Sequence, residues 1–116
     1  MLIDEARLHE LRALGRDDPA LLGSLVSIFI EDTTERLAAA QAALAAVDLS
    51  RLRALGHALA GSGGILGLTR LAALGSALER GALAGDLDTA RGAVGDIARE
   101  LPDIIEVVRV EMRADA

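Results

Sequence analysis

Leu22, Leu25, Phe29, Thr33, Leu37, Ala40 and Leu44 recur every three or four residues, and no feature constrains the fold of this chain more. That spacing sets the seven side chains in one stripe down a helix running roughly from Pro19 to Val47. The rest of the chain is built from the same material. It is heavy in Ala and Leu and has a single aromatic residue, Phe29. Ala and Leu favour helix, while strands favour β-branched and aromatic residues. An all-α fold follows.

Asp, Gly and Pro divide the pattern into five helices. The first is expected over about Glu5 to Leu14, with Asp4 as N-cap and Gly15 as the stop. Asp18 can accept from free backbone N–H groups, and Pro19 suits the first position of the second helix. Asp48 starts a third helix, about Leu49 to Gly63. A fourth runs about Leu68 to Leu83 and is closed by Gly85. Asp86 then caps the last, about Leu87 to Met112. Pro102 lies inside that helix, where it lacks an N–H and crowds the carbonyl of Ala98, so a kink or a break into two pieces is expected. Short connections between long amphipathic helices make antiparallel neighbours. The expected architecture is an antiparallel up-down four-helix bundle with the additional N-terminal helix across one end.

At 116 residues the chain reads as a single domain over 1–116, long enough to bury a core without staples. It has no Cys, hence no disulfide framework and no thiolate chemistry. The net charge is −6, and every basic residue is Arg. An acidic chain without stacking aromatics is a poor nucleic-acid binder. No apolar run approaches the ~20 residues of a membrane span, and Met1-Leu2-Ile3 is too short for a signal peptide. A soluble, cytoplasmic protein is expected.

The informative stretch is Arg53 to Gly67. On a helical wheel Leu49, Leu52, Leu55 and Leu59 cluster on the core side, and His57 falls roughly 145° away from their mean direction. His57 is therefore expected to face solvent. Its helix neighbours are Arg53 and Ala54 on the turn before and Ala60 and Gly61 on the turn after, with Gly64 one turn further on. Gly61 and Gly64 each cost on the order of 1 kcal/mol in a helix against Ala. Either they allow close helix packing or end the helix, or they leave a bare face around the imidazole. A bare face would let another protein's backbone and a phosphoryl group come within bonding distance.

His57-x-Leu59-x-Gly61-Ser62-x-x-x-x-Gly67 resembles the histidine phosphotransfer (HPt) signature, His-x-Leu-Lys-Gly-Ser-Ser-x-x-x-Gly. Leu22-x-x-Leu25-x-x-x-Phe29-x-x-Asp32 is similar to the family's second helix, Leu71-x-x-Leu74-x-x-x-Leu78-Glu79 to its fourth, and Gly85-Asp86 to the turn before its last. The resemblance implies a carrier that takes a phosphoryl group on His57 from the aspartate of one receiver domain and passes it to another. Its partners would be response-regulator receivers and a hybrid histidine kinase, with no nucleic acid and no membrane, and the carrier would be a monomer. It would bind no cofactor or metal of its own; Mg²⁺ would sit on the receiver. The neutral imidazole would attack unaided, since an unperturbed His is mostly neutral near pH 7.

Two positions depart from the signature. Ala60 stands where the family usually has Lys, and Gly63 replaces the second Ser. The family's Lys helps to hold phosphate beside the His, so Arg53, one turn before His57, is the candidate to supply that charge; Arg also offers a planar fork suited to phosphate oxygens. Arg53, Ala60, Gly61 and Gly64 are thus the residues expected to face phosphate or partner. Two other readings remain at this level. One is a degenerate module that docks receivers or kinase without being phosphorylated. The other is an unrelated bundle with His57 buried or at a subunit interface.

No Walker-type loop and no Gly-x-Gly-x-x-Gly stretch is present, so the chain is not read as a kinase. His9 lies among Asp4, Glu5 and Glu10 but shows no metal-ligand spacing, and is expected at the surface or near a cap. Glu31, Asp32 and Glu35 read as a solvated face and Phe29 as core. Val26, Ile28 and Ile30 lie partly off the main stripe and are expected to meet the first helix or to form an apolar docking patch.

Overall fold

The computed structural model describes residues 3–112. Met1, Leu2 and the last four residues of the expected 1–116 domain lie outside the described residues. Five α-helices are present and, among the described residues, no strand: α1 (Glu5–Asp17), α2 (Pro19–Ala45), α3 (Leu49–Ile65), α4 (Thr69–Leu83) and α5 (Leu87–Glu111).

Four of the five begin on an aspartate whose carboxylate satisfies helix N–H groups that have no partner within the helix. Asp4 accepts from Ala6 and Arg7, Asp18 from Leu21, Asp48 from Arg51 and Asp86 from Thr89. Only α4 starts without a side-chain cap, at the fully buried Leu68.

The ends of α2, α3 and α4 share one device. The second residue past each helix turns left-handed, and the N–H groups there return to the last-turn carbonyls. Gly67 does this after α3 (φ +70°), Gly85 after α4 (φ +71°) and Val47 after α2 (φ 54°). In each, one N–H reaches back three residues and the next reaches back five: Gly67 to Gly64 and Leu68 to Gly63, Gly85 to Ala82 and Asp86 to Gly81, Val47 to Leu44 and Asp48 to Ala43.

One expectation changes, and of the kink or break expected at Pro102 the break is excluded. Gly15 does not stop α1: it is buried within the helix, which continues to Asp17 before Asp18 donates to the carbonyl of Leu14. Pro102 does not break α5. The proline faces solvent while Ile97, Leu101, Ile104 and Val108 are buried on either side of it. Packing along that stripe keeps both halves on one helix despite the lost hydrogen bond, since most helical stability comes from a packed face.

α3 packs on α4, α4 on α5, and α2 closes the ring against both α3 and α5. The molecule measures 44 × 22 × 20 Å, and the 27 residues of α2 span about 40 Å at helical rise, so the helices run along the long axis. The stripe on α2 faces inward, with Leu22, Phe29, Thr33 and Ala40 buried. Val26 and Ile30 pack against the core, whereas Ile28 is exposed. The buried Thr33 hydroxyl donates to the carbonyl of Phe29.

Helix α1 lies across the end where α3 finishes and α5 finishes. The Asp4 N–H donates to the carbonyl of Gly67 (2.7 Å) and Arg7 Nε to that of Ile65 (2.7 Å). Arg12 Nε donates to the carbonyl of Glu111 (3.0 Å) and pairs with its carboxylate.

The α3–α4 seam is made of small residues. A Cβ placed on Gly56 would lie 2.6 Å from the backbone nitrogen of Glu79 and 2.8 Å from the carbonyl of Gly75. One on Gly75 would lie 2.5 Å from the nitrogen of Ala60, and one on Gly63 2.7 Å from that of Ala72. The two backbones are in direct contact, which only glycine allows.

Candidate functional site

Helix α3 carries Leu52 and Leu59 fully buried against the core and half-buries Leu49 and Leu55. The helical period then turns His57 outward, and its side chain is 78% exposed. This matches the orientation expected from the wheel and removes the reading in which the ring is buried among the leucines.

The ring is exposed but not free. Nδ1 lies 2.9 Å from Oε2 of Glu79 on α4, whose side chain is 28% exposed. A carboxylate oxygen has no hydrogen to give. In the neutral imidazole Nδ1 therefore carries the proton and donates, and Nε2 keeps its lone pair. A lone pair on an outward nitrogen is what a nucleophile needs.

Ser50, Arg53, Ala54, His57 and Glu79 line one shallow, open depression. Ser50, Arg53, Ala54 and His57 sit at helical spacing along one side of α3. Arg53 is exposed and makes no ion pair among the described residues. Ala60 sits on the α4 side, half-buried, its backbone against Gly75. Gly61 and Gly64 are exposed, and an added Cβ on either would meet nothing within 4 Å. Helix packing therefore accounts for Gly56 and Gly63 but not for Gly61 and Gly64. Ser62, between them, accepts from Arg36 of α2 (2.9 Å).

Beyond the open glycines, Ile65 and Ile28 are both largely exposed. With Leu25, Phe29 and Leu66 they line a second depression between α2 and the end of α3. His9 is exposed on α1, as are Glu31 and Glu35 on α2. Among the described residues no group of three or more His, Asp or Glu is placed to hold a metal ion. No helix among them is long and apolar enough to cross a membrane.

Sequence reasoning gave Glu79 no role at the site. Its contact with His57 depends on how α4 is set against α3, and no local pattern states that register. The traces are Glu79 itself, which closes the fourth-helix motif, and the glycines of the two helices, Gly56 and Gly75 among them, in stretches otherwise rich in Ala and Leu.

Curated proteins and solved structures yield no match to this chain. A protein-family model does match, over residues 24–111, and its description is Hpt domain. The matched region holds α3 and α4 entire, and with them His57 and Glu79. With most of its length matched and an outward histidine on the third helix of an all-α bundle, the chain belongs to the Hpt domain family, the histidine phosphotransfer modules of two-component phosphorelays.

Proposed function

We propose that this protein is a phospho-carrier in which His57 takes a phosphoryl group from the phosphoaspartate of one receiver domain and hands it to the aspartate of another. The observation that carries the reading is the paired state of the ring: Nδ1 is held by Glu79 while the exposed side chain offers Nε2 to solvent.

In the transfer the Nε2 lone pair forms the N–P bond as the P–O bond to the receiver aspartate breaks. The electron pair leaves on the aspartate carboxylate. The ring then carries a positive charge spread over both nitrogens, and the carboxylate of Glu79 beside Nδ1–H offsets it. The return step reverses each of these. Positioning and electrostatics do most of the work in such a reaction. The receiver supplies Mg²⁺ and the carrier supplies the placed nucleophile.

Arg53 is the cation of the depression and takes the part that Lys plays in the family at the position of Ala60. The open backbone at Gly61 and Gly64 gives the receiver room to bring its phosphoryl group in line. The neighbouring apolar rim of Ile28 and Ile65 extends the contact surface, since exposed apolar patches mark interaction sites.

The test is phosphoryl transfer from a phosphorylated receiver. The parent should gain acid-labile phosphate, and His57→Gln should gain none. Labelling of His57→Gln at the parent level would assign the acceptor elsewhere. Receiver binding without any phosphate uptake would favour a docking module instead.

A further inference from the structure

Gly56 and Gly75 stand in a closer relation to the imidazole than packing alone requires. We infer that they are positioning residues: by holding α4 in backbone contact with α3 they keep Glu79 on Nδ1 and so reserve Nε2 for the phosphoryl group. The inference rests on His57 being the acceptor, but it is read on the unphosphorylated protein.

Gly56 immediately precedes His57, and the atom nearest to a Cβ there is the backbone nitrogen of Glu79 itself, at 2.6 Å. Gly75 lies one helical turn before Glu79, and a Cβ on it meets the backbone of Ala60 at 2.5 Å. Both obstacles are main chain, which cannot swing aside as the tip of a side chain can. To restore ordinary contact α4 would recede by about 1 Å and take the Cα of Glu79 with it. The Nδ1···Oε2 distance is 2.9 Å, and N–H···O bonds seldom exceed about 3.2 Å. The same movement that relieves the clash therefore breaks the bond to the ring.

Released from the carboxylate, a neutral imidazole redistributes its proton, because the tautomer is set by the bond the other ring nitrogen makes. Part of the population then carries N–H at Nε2 and has no lone pair there to give to phosphorus. The seam also contains its own control. Gly63 is equally tight against the nitrogen of Ala72 (2.7 Å), but it lies about 10 Å along the helix from Gly56 and does not touch the turn that bears Glu79.

The experiment reads the ring ¹⁵N chemical shifts of His57 in the full chain, at a pH where the ring is neutral. The parent should show Nδ1 protonated and Nε2 unprotonated. In Gly56→Ala the two signals should move towards each other as the tautomers mix, and phosphoryl uptake should fall several-fold, in step with the fraction of rings whose Nε2 keeps its lone pair. Gly63→Ala should weaken the fold yet keep the parent pattern. A folded Gly56→Ala with the parent ¹⁵N pattern overturns the inference and leaves the glycines a packing role. If Gly56→Ala does not fold, Glu79→Asp decides, since it shortens the reach by one methylene and leaves the seam intact. Mixed tautomers in that variant uphold the inference, and the parent pattern overturns it. A parent that takes up no phosphate refutes the carrier reading instead, and does so without altering these spectra.

Discussion

Val47 occupies, at φ 54°, the place in its helix-ending turn that Gly85 occupies at φ 71° in its own. The hydrogen bonds around the two residues correspond one for one. Only the side chain differs, and valine is among the residues least suited to a left-handed backbone. Such a conformation costs on the order of 1–3 kcal/mol for a residue other than glycine. Val47 is 56% exposed and gives back little by burial. Val47→Gly is expected to stabilise the protein by about 1 kcal/mol, after the greater chain entropy of glycine in the unfolded state is deducted. That corresponds to a rise of roughly 4 °C in Tm. A thermal melt showing no rise would mean that the turn holds valine without strain.

The ion pair between α4 and α5 gives a prediction in pH. Arg70 meets Glu100 through two parallel bonds of 2.9 Å, Nε to Oε1 and Nη2 to Oε2. The hydrogen bond from Arg70 is the main cause that holds the Glu100 carboxyl below its ordinary value of 4.5. A carboxyl lowered in the folded state adds stability above its unfolded value and loses it as pH falls through the folded one. The Tm difference between the parent and Glu100→Gln should therefore be full at pH 7, narrow below about pH 4.5 and vanish once Glu100 is protonated. High salt should reduce it as well. A difference that persists unchanged into strong acid would show that the pair contributes through packing and not charge.

Much of this fold was legible because its determinants are local. The aspartate caps at 4, 18, 48 and 86 form their bonds within three residues, so a reading of neighbours finds them. The inward stripe on α2 and the outward angle of His57 follow from helical period alone. What escaped depends on partners distant in the chain. Gly15 looked like a stop and is a buried interior residue. Pro102 allows a kink or a break by local rules, and the packing of Leu101 and Ile104 carries the helix through it unbroken. Gly61 and Gly56 are the same residue type on one helix, yet one faces open space and the other the backbone of α4. Only the assembled seam separates them, and only the seam brings Glu79 to the ring.

Arg53 offers a test of charge placement. If it faces the phosphorylated ring, Arg53→Ala should slow transfer from a phosphorylated receiver on the order of tenfold, equivalent to about 1.4 kcal/mol. Ala60→Lys in the same background should recover much of the loss, since it returns a cation to the turn after His57. Transfer kinetics at two salt concentrations would measure both effects. An Arg53→Ala protein that transfers at the parent rate would make Arg53 an ordinary solvated charge, worth little at an exposed site.

The open glycines set stability against function. Gly61 and Gly64 lie within α3 with nothing within 4 Å of an added Cβ, so alanine there should stabilise by about 0.5–1 kcal/mol each through helix propensity. The same holds for Gly23 on α2 and Gly92 on α5, which are also open. All four alanine variants should melt roughly 2–4 °C higher than the parent. They should part company in transfer. Methyl groups at 61 and 64 stand on the face beside His57 and should hinder the approach of a receiver, slowing transfer several-fold, on the scale of small displacements at a reacting centre. Those at 23 and 92 should leave the rate unchanged. Selection for stability alone would favour alanine at all four positions, so the glycines beside His57 are the ones for which docking gives a reason. If Gly61→Ala and Gly64→Ala transfer as fast as the parent, the bare stretch of α3 is not where the partner sits, and contact with the receiver must be sought on the other side of the ring, towards Ser50 and Arg53.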